Sequence, residues 1–377
     1  MSTGIVCEFN PFHNGHKYLI DKAKELSDSS VICAMSGDFV QRGEYAFADK
    51  SVRARWAVEC GADIVLENPF PFSCATAEIF AKSAVSILKK SGCDSIAFGV
   101  ESKEVEACDF VEAAKILLDE KTEKEIAKIV KQNKNIGYAV ARSTYISEKY
   151  GERAGRLLSA PNALLGVEYA KAIVENSYDM KIFTVERKGA LHDSLPDGAF
   201  ASGSFLRENF SPENIDAYCP KVVGGSEFSA RRCDTEKLYC ALCAILFSTD
   251  TEKLSQIAEV PCEYAVKMKK AAETCTTYDE FFESLRAKHI TDAKLRRMII
   301  YTLAGVKKQD LSCFPNASFL LSFGEGGGKI LRKIKKENTD FSVLSKISDI
   351  KKLSQKDAEI FNKQLKAERL FERMTKM

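Results

Sequence analysis

Phe9-Asn10-Pro11-Phe12-His13-Asn14-Gly15-His16 puts two of the chain's four histidines three positions apart, directly after a short apolar run. Imidazoles at i and i+3 of a helix start share a face, so both can donate a hydrogen bond to the same oxygen. Gly15 between them lets the backbone approach a phosphate with no Cβ in the way. A helix opening there would present free N–H groups and its positive dipole end to that phosphate. The chemistry this suits is displacement at phosphorus: a carboxylate attacks an α-phosphate, and the paired donors stabilise the charge that grows on its oxygens. Positioning and electrostatics carry most of such a reaction, with little covalent work by the protein. A metal centre is the weaker reading, because no third histidine, cysteine or carboxylate lies nearby at ligand spacing, and no metal ligand is assigned. The bland alternative is a pair of helix-start histidines with no ligand.

Such a loop needs a strand before it and a helix after it. Residues 3–7, 31–35, 64–66 and 95–98 read as strands, with helices at 16–26, 50–60 and 75–89 between them. That alternation indicates βαβ units and a parallel sheet, which binds ligands at the carboxyl ends of its strands. Segments 105–118, 123–131 and 160–174 continue as helices, 181–185 as a late strand, and 201–209 as a loop opening into a helix. Beyond about residue 215 the strand signal fades. There 237–247, 262–274, 278–286, 291–304 and 354–376 carry helical periodicity. The expectation is an α/β domain over 1–215 and a mostly α-helical domain over 216–377.

A chain of 377 residues, 45% hydrophobic and 29% charged, has the make-up of an ordinary two-domain soluble enzyme that needs no disulfides to build its core. A net charge of +2 excludes a polybasic protein held to nucleic acid by bulk charge alone. The charge is uneven, however: residues 329–377 carry 14 basic and 7 acidic side chains. That excess is either a phosphate-backbone footprint or a solvated helix surface. No run of eighteen apolar residues suggests a membrane span, the N-terminus lacks the layout of a signal peptide, and no protein partner is evident. Cys7, Cys33, Cys60, Cys74 and Cys93 sit in apolar runs and read as buried hydrophobes in a reducing cytoplasm. The CxxC pair Cys240 and Cys243 lies in an apolar helical pattern and reads as core packing rather than metal or redox chemistry.

The sequence also resembles a known family. HxGH after a first strand is the signature of the nucleotidylyltransferase superfamily, which activates ATP at its α-phosphate. FNPFHNGH (9–16), MSGDFVQRGE (35–44), GADIVLENPFPFS (61–73), AEIFAKSAV (77–85), IAFGVE (96–101), PNALLGVEY (161–169), TVERKGALH (184–192) and ASGSFLRE (201–208) follow in the order found in bacterial tRNA(Met) cytidine acetate ligases. The resemblance implies a Rossmann-like parallel sheet of the HxGH type for ATP and a helical C-terminal domain for tRNA. It implies that acetate and ATP give acetyl-adenylate and pyrophosphate. The acetyl group then passes to N4 of the wobble cytidine (position 34) of elongator tRNA(Met).

Carried over by position, the ATP loop comprises Val6, Cys7, Glu8, Phe9, Asn10, Pro11, Phe12, His13, Asn14, Gly15, His16, Lys17, Tyr18 and Leu19, closed over by Gly99, Asn162 and Arg187. His13 and His16 would hold the α- and β-phosphates. Ser202 to Arg207 resembles the superfamily's second phosphate motif, with Ser204 and Arg207 on the outer phosphates; a plain helix cap is the alternative. Gln41 and Arg42 are candidates for the acetate or for the tRNA end of the pocket. Lys288, Lys294, Arg297, Lys329, Arg332 and Lys333 are candidates for tRNA contact. Here the chain departs from the family: His289, Ile290 and Lys294 stand where arginine, tyrosine and arginine are common, which keeps most of the charge but loses a stacking surface. Mg²⁺ is expected with ATP, with Asp38 and Glu101 as candidate ligands. Two other readings stay open: a nucleotidylyltransferase for a small phosphorylated metabolite, and a non-catalytic ATP-gated RNA-binding protein.

Overall fold

The structure is a computed structural model that describes residues 2–102, 104–133, 136–159, 161–188, 195–225, 230–288 and 290–376. Its strands are β1 (Ser2–Cys7), β2 (Ser30–Ser36), β3 (Phe39–Val40), β4 (Glu44–Tyr45), β5 (Ile64–Asn68), β6 (Ser95–Val100), β7 (Lys181–Glu186), β8 (Arg232–Cys233), β9 (Ala317–Phe323), β10 (Ser342–Leu344) and β11 (Thr375–Lys376). Seven of them form one sheet in the order β10-β9-β5-β2-β1-β6-β7. It is parallel except where β9 runs against β5.

Period-two alternation explains the three layers. Ile32, Ala34, Ile64, Leu66, Ile96 and Phe98 point to one face, against the helices Ala77–Lys90, Ala107–Leu118 and Pro161–Glu175. Ile5, Cys7, Val31, Cys33, Met35 and Val65 point to the other, against Asn14–Ser27 and Lys50–Glu59. The chain winds from β1 through β2 to β5 on one side, then returns to β6 and β7 on the other. The loops after β1 and β6 therefore diverge and open a crevice at the sheet's carboxyl edge.

The expected α/β unit is present, but the sheet does not end at residue 215. β9 pairs with β5 (Ile64 opposite Phe323, Leu66 opposite Leu320), and β10 extends it. Residues 317–323 (ASFLLSF) are mostly apolar but show no clean period of two or 3.6, so the pattern alone does not separate strand from buried helix; pairing with β5 decides it. The helices Thr235–Ser248, Cys262–Thr274, Tyr278–Leu285 and Asp292–Ala304 build a separate core around Leu242, Leu246, Ala265, Met268, Phe281, Leu295 and Ile299. Phe39, Phe70 and Phe371 complete it: the Phe39 ring lies 4.6 Å from Phe70 and 4.8 Å from Phe371.

The five N-terminal cysteines are buried thiols, as their apolar setting suggests. The expected core packing holds for one of the CxxC pair only: Cys243 is half-buried and packs against the helical core, while Cys240 is exposed. Leu238, Leu242 and Leu246 face the core at spacing four, so position 240 falls on the opposite side of the helix. No helix among the described residues is long and apolar enough to cross a membrane.

Candidate active site

A cavity of about 440 Å³ occupies the crevice. From the end of β1 through the following loop into the first helix, Val6, Cys7, Glu8, Phe9, Asn10, His13, Gly15, His16, Tyr18 and Leu19 line it. Four residues expected there do not. Phe12 is fully buried in the core, Lys17 pairs with Asp21 at 2.7 Å, Asn14 donates to the Ala199 carbonyl at 2.8 Å, and Pro11 lies outside the lining.

His13 caps the helix Asn14–Ser27, its Nδ1 accepting the Gly15 N–H at 3.1 Å. His16 Nδ1 accepts the His13 N–H at 3.2 Å. The rings stack with centroids 3.7 Å apart. The His16 ring is wedged against Phe9 and Phe12. This corrects one expectation. The Gly15 N–H is spent on His13, and the His16 N–H on the His13 carbonyl, so neither is free for a ligand. What faces the cavity is a pair of imidazole Nε2–H groups, because each Nδ1 lone pair is already engaged.

Burial, with Arg187 and Arg207 nearby, pushes the His13 pKa down to about 3. Burial, with His13 and Arg187, holds His16 well below its usual range. Both rings are therefore neutral in the free protein. Because the folded value of His13 lies below 6.5, its share of stability is complete above pH 6.5 and is lost progressively as pH falls from there to about 3, the range in which only the unfolded chain takes up the proton. Long-range ¹⁵N–¹H spectra of the free protein at pH 6 should show both rings as Nε2–H tautomers; a ring titrating near 6.5 would overturn this arrangement.

Gly99 in β6 sits opposite Val185 of β7. A Cβ there would come within 3.1 Å of Arg187 Cγ, so glycine makes room for the arginine to lie across the strand. Arg187 forms no ion pair with a described residue, while burial depresses its pKa. Asn162 lines the cavity with its amide donating to Glu101 Oε1 at 2.7 Å. Ser202, not Ser204, caps the helix Gly203–Glu208, accepting the Phe205 N–H at 3.2 Å. That leaves the Ser204 hydroxyl to the cavity. Arg207 donates to the Asn10 carbonyl at 2.8 Å, tying the two loops together.

Gln41 and Arg42 line the other arm, on the turn between β3 and β4. Gly43 ends that turn at φ +75°, and a Cβ there would lie 2.7 Å from the Arg297 backbone nitrogen. Arg296 Nε donates to the Arg42 carbonyl at 3.1 Å, and Arg297 reaches the Gln41 carbonyl. Arg297 therefore does not belong to a tRNA-facing surface. It is buried in a two-pronged pair with Glu259, both contacts 2.8 Å, and braces the cavity's turn. Lys288, Lys329, Arg332 and Lys333 are exposed and Lys294 is half-buried; His289 and residues 189–192 of the TVERKGALH stretch lie outside the described residues.

Asp38 is no ion ligand either. It is buried, 2.8 Å from Arg231 and 3.9 Å from Lys50. Glu101 is engaged by Asn162. No cluster of three or more His, Cys, Asp or Glu among the described residues could hold a metal. The two carboxylates expected to meet Mg²⁺ are thus already engaged, and an ion accompanying ATP would draw most of its ligands from phosphate oxygens and water.

Sequence reasoning missed Lys188, whose Nζ lies 4.8 Å from the Tyr18 ring centroid, and Glu44, which pairs with Arg296 at 3.4 Å. It also missed an apolar wall of Phe80, Phe98, Leu164, Leu165 and Tyr169. The signal was present: four of those five fall inside AEIFAKSAV and PNALLGVEY. Period and burial could not show that they turn towards a ligand.

A family model described as HIGH Nucleotidyl Transferase matches residues 1–377. The chain is 36% identical over 344 residues to the tRNA(Met) cytidine acetate ligase of Streptococcus sanguinis (strain SK36), covering 88% of this chain and 86% of that protein. It is 34% identical over 357 residues to the tRNA(Met) cytidine acetate ligase of Ligilactobacillus salivarius (strain UCC118), covering 92% and 90%. The fold is similar to that of Thermotoga maritima TmcAL bound with alpha-thio ATP, with a TM-score of 0.83 and 25% identity across 97% of this chain and 92% of that one. The chain thus belongs to the HIGH nucleotidyl transferase family and, within it, to the tRNA(Met) cytidine acetate ligases.

Proposed function

We propose that the protein joins acetate to ATP as acetyl-adenylate and transfers the acetyl group to N4 of the wobble cytidine of elongator tRNA(Met). The observation that carries this reading is the pair of Nε2–H imidazoles at the switch-point crevice, in a chain whose curated relatives are acetate ligases for that tRNA. An acetate oxygen attacks the α-phosphorus, the bond to the bridging oxygen breaks, and pyrophosphate leaves. His13 and His16 donate to the α- and β-phosphate oxygens as charge grows there. Arg187, Arg207 and Ser204 meet the remaining charge, and Asn162 reads the nucleoside. The braced turn carrying Gln41 and Arg42 then faces the acetate and the incoming base. Incubation with ATP, labelled acetate and total tRNA, followed by digestion, should yield one labelled nucleoside, N4-acetylcytidine. Label confined to acetyl-AMP, or absent from the tRNA, would overturn the reading.

For the tRNA we propose the exposed basic helix Gly327–Glu337, with Lys329, Arg332 and Lys333, together with Lys288 and Lys294. Lys329→Glu with Arg332→Glu should weaken tRNA binding and lower the slope of log affinity against log salt by about 2, one for each lost phosphate contact. An unchanged slope in filter binding would move the RNA surface elsewhere.

A further inference from the structure

We propose that Glu8 is the general base of acetyl transfer, taking the proton from the exocyclic amine of the base as its nitrogen attacks the acetyl carbon. This rests on the ligase reading above. In that step the N–C bond forms, the bond from the acyl carbon to the AMP oxygen breaks, AMP leaves with the electron pair, and one amine proton must be accepted.

The groups lining the cavity leave few acceptors. His13 and His16 have their Nδ1 lone pairs occupied by backbone N–H groups at 3.1 and 3.2 Å, so the side facing the cavity carries a proton. They are donors, suited to phosphate and unsuited to deprotonating an amine. Burial beside Glu8 and Cys7 holds the Tyr169 phenol well above its usual range, and the buried Cys7 thiol is raised too. Glu44 is committed to Arg296 at 3.4 Å, with Arg207 at 3.9 Å. Glu186 ends β7 beside Arg187, on the arm we assign to the phosphates.

Glu8 differs from all of these. It directly follows β1, between the histidine loop and the turn carrying Gln41. One carboxylate oxygen, Oε1, accepts the Gln41 N–H at 2.8 Å and fixes the side chain, which leaves Oε2 for a proton. It forms no ion pair with a described residue. Burial raises its pKa above the ordinary carboxylate range, with Glu44 adding to the rise and the Gln41 bond, Arg207 and Arg42 opposing it, which makes it a stronger base.

The test is Glu8→Gln in the full chain. Glutamine keeps an oxygen for the Gln41 N–H but cannot accept the proton. Acetyl transfer from labelled acetate to tRNA(Met) should fall by about 10²–10³-fold, with acetate-dependent ATP–pyrophosphate exchange falling by less than about tenfold. The acid limb of the wild-type transfer rate against pH should vanish in the variant. Equal losses in exchange and transfer would overturn the proposal and make Glu8 a positioning residue of the first step. Undiminished transfer would overturn it in favour of the AMP phosphate as acceptor. Wild-type protein without acetate-dependent exchange would bring down the ligase reading itself, and this proposal with it.

Discussion

His16→Ala is expected to lower acetate-dependent ATP–pyrophosphate exchange by about 10²–10³-fold, while tRNA affinity stays within about twofold. The ring does two things at once. Its Nε2–H is one of the two donors we assign to the phosphates, and its Nδ1 holds the His13 N–H at 3.2 Å. Alanine removes the donor and leaves the neighbouring loop without that anchor. Because the rings stack at 3.7 Å, the two histidines act as a unit. Replacing both should therefore cost little more than the worse single change, the pattern of coupled catalytic groups. The basic helix Gly327–Glu337 lies outside this cavity, which is why tRNA binding should persist. Exchange assays and filter binding on the two single variants and the double decide it. Full exchange by His16→Ala would remove the histidine pair from the chemistry.

The sequence made the histidine loop legible because its chemistry is local: strand, turn, glycine and helix start lie within sixteen residues. The parallel βαβ half was legible for the same reason, each unit carrying its own period. What escaped depends on distant partners. β9 reads as a strand only once β5 offers an edge 250 residues away in sequence, as Ser318 Oγ donating to the Glu67 carbonyl illustrates. Asp38 looked like a free ligand because Arg231 and Lys50, which neutralise it, come from other elements. The same holds for backbone donors at the helix start: the Gly15 N–H is consumed by the His13 imidazole it was expected to assist, and the His16 N–H by the His13 carbonyl. Charge in the C-terminal part was counted correctly, but a count does not separate an arginine that faces water from one that faces a carboxylate.

Arg297→Ala is expected to destabilise the fold rather than trim an RNA surface, by about 2–4 kcal/mol, because it leaves the partly buried Glu259 carboxylate, 12% exposed, without its partner. That corresponds to a fall in Tm of roughly 3–5 °C for a chain of this length. A second effect reaches the cavity. Arg297 and Arg296 hold the carbonyls of Gln41 and Arg42, and Gly43 packs directly on the Arg297 backbone. Loosening that brace frees the turn whose Gln41 N–H fixes Glu8, so acetyl transfer should decline at temperatures where the variant is still folded. Arg297→Lys keeps the charge but not the fork that meets both carboxylate oxygens, and should recover only part of the loss. The contrast with Lys329→Glu and Arg332→Glu separates the two roles: those exposed changes should alter the salt dependence of tRNA binding and leave Tm nearly unmoved. If Arg297→Ala instead melted like wild type and bound tRNA more weakly, the arginine would belong to the RNA surface after all, and the link between the helical core and the catalytic turn would be lost.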